Sequence, residues 1–253
     1  MNKRIAIIGM GHMGKAFCEG LLFSGIAQET IITSDTAEEN IKVASDADWV
    51  LLALKPHVVN EVLADIKEAI GDKIVLSVAC GVTIAAMKNV LGNDNQKIIR
   101  LMPNLPVAYG KGVIGYYNSD SVSYEEKNEV VKILSGLGSV IPCTKEEELD
   151  AMTILSGSGP AIVAYCLSLF EKAGESFGFE KDEAQQIAYQ TFLGTLELLK
   201  QKQQTAQALQ EAVATKGGTT EAIIKKLDEE QIASRFQKSF ETGYARIKEI
   251  KKT

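Results

Sequence analysis

Histidine is nearly missing from this chain. His12 and His57 are the two among 253 residues, too few for a clustered metal site, and nothing near His12 would orient it as a general base. Cysteine is sparse as well. Cys18, Cys80, Cys143 and Cys166 lie far apart with no CxxC pair, which excludes a disulfide framework or zinc knuckle and suits small buried thiols in a reducing compartment. No strong charge of one sign accumulates: the net charge of -6 is spread along the chain, so a polyanionic partner such as nucleic acid is not expected. Met1 to Arg4 run straight into the short apolar stretch Ile5 to Ile8, too brief for a signal-peptide core or a membrane span. A cytoplasmic protein without a membrane partner is therefore expected. Internal repeats and low-complexity segments are absent, and 45% hydrophobic with 24% charged residues describes an ordinary globular chain of one or two domains.

What is present begins with a strand-like run, Ile5 to Ile8, apolar throughout as in a parallel strand covered on both faces. It leads into Gly9-Met10-Gly11-His12-Met13-Gly14 and a helical pattern through Phe17, Leu21 and Leu22. That is the dinucleotide-binding fingerprint: glycines allow the tight turn and the close approach of a pyrophosphate to a helix N-terminus. His12 reads as a filler of position. A second strand over 30–34 ends at Ser34-Asp35, where an acidic side chain grips the ribose hydroxyls of NAD, or else serves as a solvated turn. No basic residue follows until Lys42, so no 2′-phosphate clamp is visible and any cofactor bias should favour NADH. Residues 36–48 are barely enough for a crossover. The usual second helix is expected to shrink to a turn or vanish, thinning the adenosine pocket.

The apolar run 49–54 closes with Leu54-Lys55-Pro56. Proline stops the strand and leaves Lys55 at its carboxyl end, where ligands bind in open α/β sheets; Lys55 meets nicotinamide-ribose oxygens or is a plain surface lysine. Strands over 74–78, 98–101 and 139–142 and helices from Thr83 and over 124–135 follow. Asn104, between Pro103 and Pro106, has a fixed backbone and a free amide, suited to a nicotinamide carboxamide or an ordered water, with a turn-forming role as the alternative. The alternation predicts an α/β Rossmann-type doubly wound parallel sheet.

Strand signals stop after residues 144–149, which puts a boundary near Lys145. Residues 1–145 then form the dinucleotide-binding domain and 146–253 an all-α domain, with helices over 159–173, 181–200, 205–214, 219–228 and 230–251. The helix over 159–173, with Pro160 suited to its first turn, is apolar around most of its circumference. Burial against a second subunit explains that, a central core helix being the alternative. Further on, Thr215-Lys216-Gly217-Gly218-Thr219-Thr220 stands just ahead of an amphipathic run. Its donors converge at a helix N-terminus, as for a small-molecule carboxylate; a plain helix–helix turn capped by Thr219 or Thr220 is the other reading.

Taken together, Gly9–Gly14, Leu54-Lys55-Pro56, the segment 100–106, the segment 155–161 and the segment 213–220 resemble the pyrroline-5-carboxylate reductase family, in the family's order and over nearly the whole chain. The resemblance implies an N-terminal Rossmann domain for NAD or NADP, whose reduced form is the hydride donor, and a helical dimerisation domain forming an interlocked homodimer or a higher oligomer of dimers. It also implies reduction of 1-pyrroline-5-carboxylate to L-proline. By position, Thr220 would hydrogen-bond or protonate the imine nitrogen, Thr215, Gly217 and Gly218 would hold the carboxylate within the loop 215–220, and Asn104 and Lys55 would flank the nicotinamide. Thr215-Lys216 stands where the family often has Ser-Pro, and His12 where Asn is usual. A β-hydroxyacid dehydrogenase would share the plan but carries a lysine in the helix where this chain has Pro160 to Tyr165, and a silent nucleotide-binding scaffold would follow from a thinned adenosine pocket. Imine reduction itself needs no metal and no strong base, only positioning and charge stabilisation.

Overall fold

Short runs of apolar side chains make the sheet. In Ile5–Ile8, Trp49–Leu52 and Ile74–Ser77 every residue is buried, as strands must be when helices cover both faces. The computed structural model describes residues 3–250. In chain order it runs β1 (Ile5–Ile8), α1 (His12–Phe23), β2 (Ile31–Ser34), α2 (Ala37–Asp46), β3 (Trp49–Leu52), α3 (Pro56–Ile70), β4 (Ile74–Ser77), α4 (Ile84–Leu91), β5 (Ile98–Met102), β6 (Gly112–Asn118), α5 (Tyr124–Leu134) and β7 (Gly138–Pro142). The strands form one sheet in the order β2-β1-β3-β4-β5-β6-β7. Side chains alternate across it. Ile5, Ile7, Trp49, Leu51 and Leu76 join Phe17 and Leu21 of α1 and Leu134 of α5 on one face, while Ile8, Val50, Leu52 and Val75 join Leu63 of α3 and Met87 of α4 on the other.

Strands β1 to β5 are mutually parallel, with Ile7 opposite Thr33 on one side and Leu51 on the other. The last two depart from an all-parallel sheet. β6 runs antiparallel to β5, pairing Arg100 with Tyr117, and β7 is parallel to β6. The cause is the connection: a short 3₁₀ segment, Leu105–Tyr109, reverses the chain where a parallel neighbour would need a crossover helix.

Contrary to the expected loss of the second helix, residues 36–48 hold a full one. Thr36 caps α2 by accepting from the Glu39 N–H at 3.4 Å, and Ala47 ends it one residue before the next strand. Ten residues rise about 15 Å, close to the roughly 13 Å spanned by a four-residue strand. No loop is left over, so a 13-residue linker suffices and the adenosine side of the fold is not thinned by a missing element.

The helical part comprises α6 (Glu148–Met152), a π-helical turn (Thr153–Gly157), α7 (Gly159–Ser176), α8 (Lys181–Lys202), α9 (Ala206–Val213), α10 (Thr219–Glu229) and α11 (Ile232–Ile250); the expected helix end at Lys251 lies outside the described residues. By contact density the chain divides into two compact units, residues 3–160 with the last helix from Tyr244 onward, and Ala161–Gly243. In the second unit α7 and α8 touch through small residues: a Cβ on Gly174 would stand 2.9 Å from that of Ala184. Phe170 and Phe192 meet edge to face with centroids 5.0 Å apart.

Ala184 and Ala188 are nevertheless the buried residues of that unit. Val163, Phe170, Leu193 and Leu196 are about half exposed or more, at 54%, 53%, 48% and 61%. The stretch Glu148–Ser176 is long and apolar enough to cross a membrane by length and composition. So much exposed apolar area on a helical layer demands a cover. If the cover is another copy, stability depends on chain concentration. The thermal unfolding midpoint should rise as the protein is concentrated; a midpoint independent of concentration, with a monomeric mass in solution, would show that the helical unit stands alone.

Candidate active site

The glycine loop at the end of β1 is built by exclusion of side chains. Gly9 has φ +95, and a Cβ there would lie 2.7 Å from the Ala53 carbonyl oxygen, while one on Gly14 would lie 2.0 Å from the Gly9 oxygen. Only glycine lets α1 start this close to the strand. Gly11 is the N-cap of α1 and makes no side-chain cap bond, and the first turn, beginning His12-Met13-Gly14, holds no acidic residue. The leading amides of that helix therefore remain open to an anion. A Cβ on Gly11 would meet nothing within 4 Å, so there is room on that side for a phosphate group. His12 is exposed, and Met10 and Met13 are half-buried and pack on the core.

Two strand ends brace the loop. The Gly9 N–H donates to the Ser34 carbonyl at 2.9 Å, and the Met10 N–H donates to Asp35 Oδ1 at 3.0 Å. Beneath them the buried Ser34 hydroxyl bonds Asn40 Oδ1 at 2.8 Å. Asp35 is thus tied to the glycine loop through one oxygen, and the residue is exposed. Beside it a cavity of about 220 Å³ is lined by Gly9, Asp35, Ala37, Asn40, Leu54 and Val58 among others. The loop and this cavity fit a dinucleotide. Lys55 is the exposed N-cap residue of α3, with Pro56 in the first helical position and no side-chain cap bond. Lys55 itself stands three residues past Leu52, the last of β3.

Asn104 is not the free amide the prolines suggest. Its Nδ2 donates to the Ser156 carbonyl at 3.0 Å, and its Oδ1 accepts from the Val113 N–H at 2.8 Å. The side chain is 8% exposed and ties the loop after β5 both to β6 and to the π-helical turn. It shapes the strand-end loop.

Arg100 is a residue that sequence reasoning passed over. It is 1% exposed in the middle of β5, and its Nη1 donates to Glu146 Oε1 at 2.8 Å. The same carboxylate oxygen accepts the Ile84 N–H at 2.7 Å, at the N-terminus of α4. One acid therefore serves a buried cation and a helix end. A basic residue inside an apolar strand was the available signal; its partner, 46 residues away, was not.

The second candidate region, in the helical unit, is the loop 215–220. Gly217 has φ +78, and the Gly218 N–H donates back to the Thr215 carbonyl at 2.9 Å. The Gly217 N–H donates to Glu221 Oε2 at 2.6 Å. Both glycine amides are thus engaged within the loop, against the expectation that they face a carboxylate. The helix-cap reading also fails: Gly218 is the N-cap of α10, with no side-chain cap bond. Thr219 and Thr220 occupy the first two helical positions, with Thr219 exposed and Thr220 half-buried. Their amides belong to the unpaired first turn. An open groove of about 730 Å³ beside the loop is lined by Gly217 and Gly218 but not by Thr215, Lys216, Thr219 or Thr220; Glu211, Glu221 and Asp228 make its wall mostly acidic, against Lys225.

With this geometry in view, comparison with known proteins is decisive. A family model for pyrroline-5-carboxylate reductase dimerisation matches residues 146–250, and one for coenzyme F420-dependent NADP oxidoreductases matches residues 4–81. The pyrroline-5-carboxylate reductase of Aquifex aeolicus (strain VF5) is 38% identical over 245 residues, covering 90% of each chain. The chain belongs to the pyrroline-5-carboxylate reductase family. Among solved structures, a member from Coxiella burnetii superposes with a TM-score of 0.88 at 29% identity, over 100% of both chains. A Plasmodium falciparum pyrroline carboxylate reductase with NADP bound superposes with a TM-score of 0.89 at 24% identity, over 99% of this chain and 98% of that one.

The Arg100–Glu146 pair yields a direct test. Glu146→Ala leaves a guanidinium buried without its counter-charge and frees the first turn of α4, a loss of about 3–5 kcal/mol. Combining it with Arg100→Met should restore much of that stability, since the uncompensated charge is gone. Denaturant titration of the single and double variants reads the outcome; a single variant as stable as the parent would mean that the pair is dispensable.

Proposed function

We propose that this protein reduces 1-pyrroline-5-carboxylate to L-proline, the last step of proline biosynthesis. Family membership across both halves supports the reaction. What carries the assignment of its site is Thr220: its side chain caps no helix, and it stands in the open first turn of α10. The glycine loop with Gly9, Met10, Gly11, His12, Met13 and Gly14, together with Ser34, Asp35, Leu54, Lys55 and Pro56, would hold NAD(P)H, which would supply the hydride. Everything else is positioning by the chain itself.

A neutral cyclic imine becomes electrophilic at its ring carbon when its nitrogen accepts a hydrogen bond, so the demand on the protein is orientation and charge stabilisation. The Thr220 hydroxyl donates to the imine nitrogen, which gains electron density as the ring carbon takes the hydride and ends as an amine by taking a proton through that hydroxyl from solvent. The substrate carboxylate lies on the first-turn amides of Thr219 and Thr220 and on the Thr215 hydroxyl. Gly217 and Gly218, their own amides taken, let the chain turn tightly into α10, and Lys216 adds positive charge. Asn104 fixes the strand-end loop from behind.

The same reading assigns residues 1–145 to dinucleotide binding and 146–253 to dimerisation and substrate binding. A homodimer, or a higher assembly of dimers, covers the apolar faces of α7 and α8. Those faces then need no membrane, and a net charge of -6 gives nucleic acid no foothold; the protein works in the cytoplasm.

Thr220→Val keeps volume and β-branching while removing the donor. Because the donated bond strengthens toward the transition state, turnover should fall roughly ten- to a thousandfold with a much smaller change in the Michaelis constant. As Gly218 is the N-cap, the melting temperature should stay near that of the parent. Unchanged turnover in a folded variant would remove Thr220 from the reaction.

A further inference from the structure

The cavity beside the glycine loop carries a charge pattern that bears on which dinucleotide it takes. Besides Asp35, its lining includes Glu61 and Asp65, and no lysine or arginine. Glu61 and Asp65 stand four residues apart on one face of α3, a like-charge spacing that costs a helix stability when no cation intervenes. None of the ion pairs among the described residues involves these three acids. Among the described residues no three or more metal-ligating side chains stand together so that they could hold an ion.

We infer that this chain selects NADH over NADPH, with Asp35, Glu61 and Asp65 as the residues that exclude the 2′-phosphate. The inference rests on the reading of the glycine loop as a dinucleotide site. Asp35 is held by the Met10 N–H through Oδ1, which leaves Oδ2 to accept a hydrogen bond. A ribose 2′-hydroxyl donates such a bond; a 2′-phosphate brings two negative charges in its place.

The other place a 2′-phosphate could be held, the N-terminus of α2, is made less favourable as well. Ala37, its first residue, lines the cavity, but Glu38 and Glu39 fill the first turn, and the Glu39 N–H donates to the Thr36 hydroxyl. The contrast with α1 is informative. That helix has no acid in its first turn and presents bare amides to the pyrophosphate, whereas α2 neutralises its own positive end.

Calorimetric titration of the whole protein with NADH and with NADPH tests this without reference to turnover. NADH should bind about ten- to a hundredfold more tightly at low ionic strength, and the gap should shrink as added salt screens the carboxylates. The exposed pair Glu61→Gln with Asp65→Asn should narrow the gap several-fold, chiefly by strengthening NADPH, with an unchanged melting temperature showing that it is folded. Equal or tighter binding of NADPH overturns the selectivity while leaving the dinucleotide reading intact. A gap that ignores both salt and the double variant overturns the charge mechanism. Binding of neither cofactor overturns the dinucleotide reading, and the inference with it.

Discussion

Everything at the ligand-facing edge of the sheet depends on how closely α1 approaches β1. The hypothetical Cβ of Gly14 lies 2.0 Å from the Gly9 oxygen, and that of Gly9 lies 2.7 Å from Ala53 in β3's exit. Backbone therefore packs on backbone at the centre of the sheet. Because no side chain can intrude, the open amides of α1 point past the strand ends rather than being lifted away from them. Bonds from Gly9 to Ser34 and from Met10 to Asp35 then lock β2 to the same loop. The cavity beside Asp35 takes its shape from that arrangement.

How far the chain could be read in advance follows from the range of each interaction. The strands were legible because a buried parallel strand is apolar at every position, and Trp49–Leu52 or Ile74–Ser77 leaves few alternatives. The glycine loop was legible because glycine spacing states a steric need directly. A linker of 36–48 looks too short for α2 until Thr36 is seen to cap the helix immediately after Asp35 and Ala47 to close it one residue before β3. The reversal at β6 was also hidden, since an apolar strand reads alike in either direction.

Side-chain partnerships across long separations were the least legible. Asn104 between prolines suggested an open amide, yet Val113 and Ser156 take both ends of it. Arg100 stands out as a basic residue in an apolar strand, but Glu146 does not announce itself as its partner, and only folding brings a buried guanidinium, a carboxylate and the Ile84 amide together. In the loop 215–220 the hydroxyls and glycines were visible, but not that Glu221 would reach back to the Gly217 amide. These interactions have no period and no fixed spacing, so no local pattern announces them.

The two anion-facing helix ends illustrate why local composition alone misleads. α1 and α10 both begin at a glycine N-cap without a side-chain bond, and both would be described as anion sites by their dipoles. Their first turns differ. That of α1 holds no acid, so it offers its full positive end to a diphosphate. That of α10 holds Glu221, whose carboxylate is turned back onto the Gly217 amide. The acid offsets part of the helix charge, and the remaining donors are the amides and hydroxyls of Thr219 and Thr220. Such an end suits a single carboxylate better than a phosphate group with two charges.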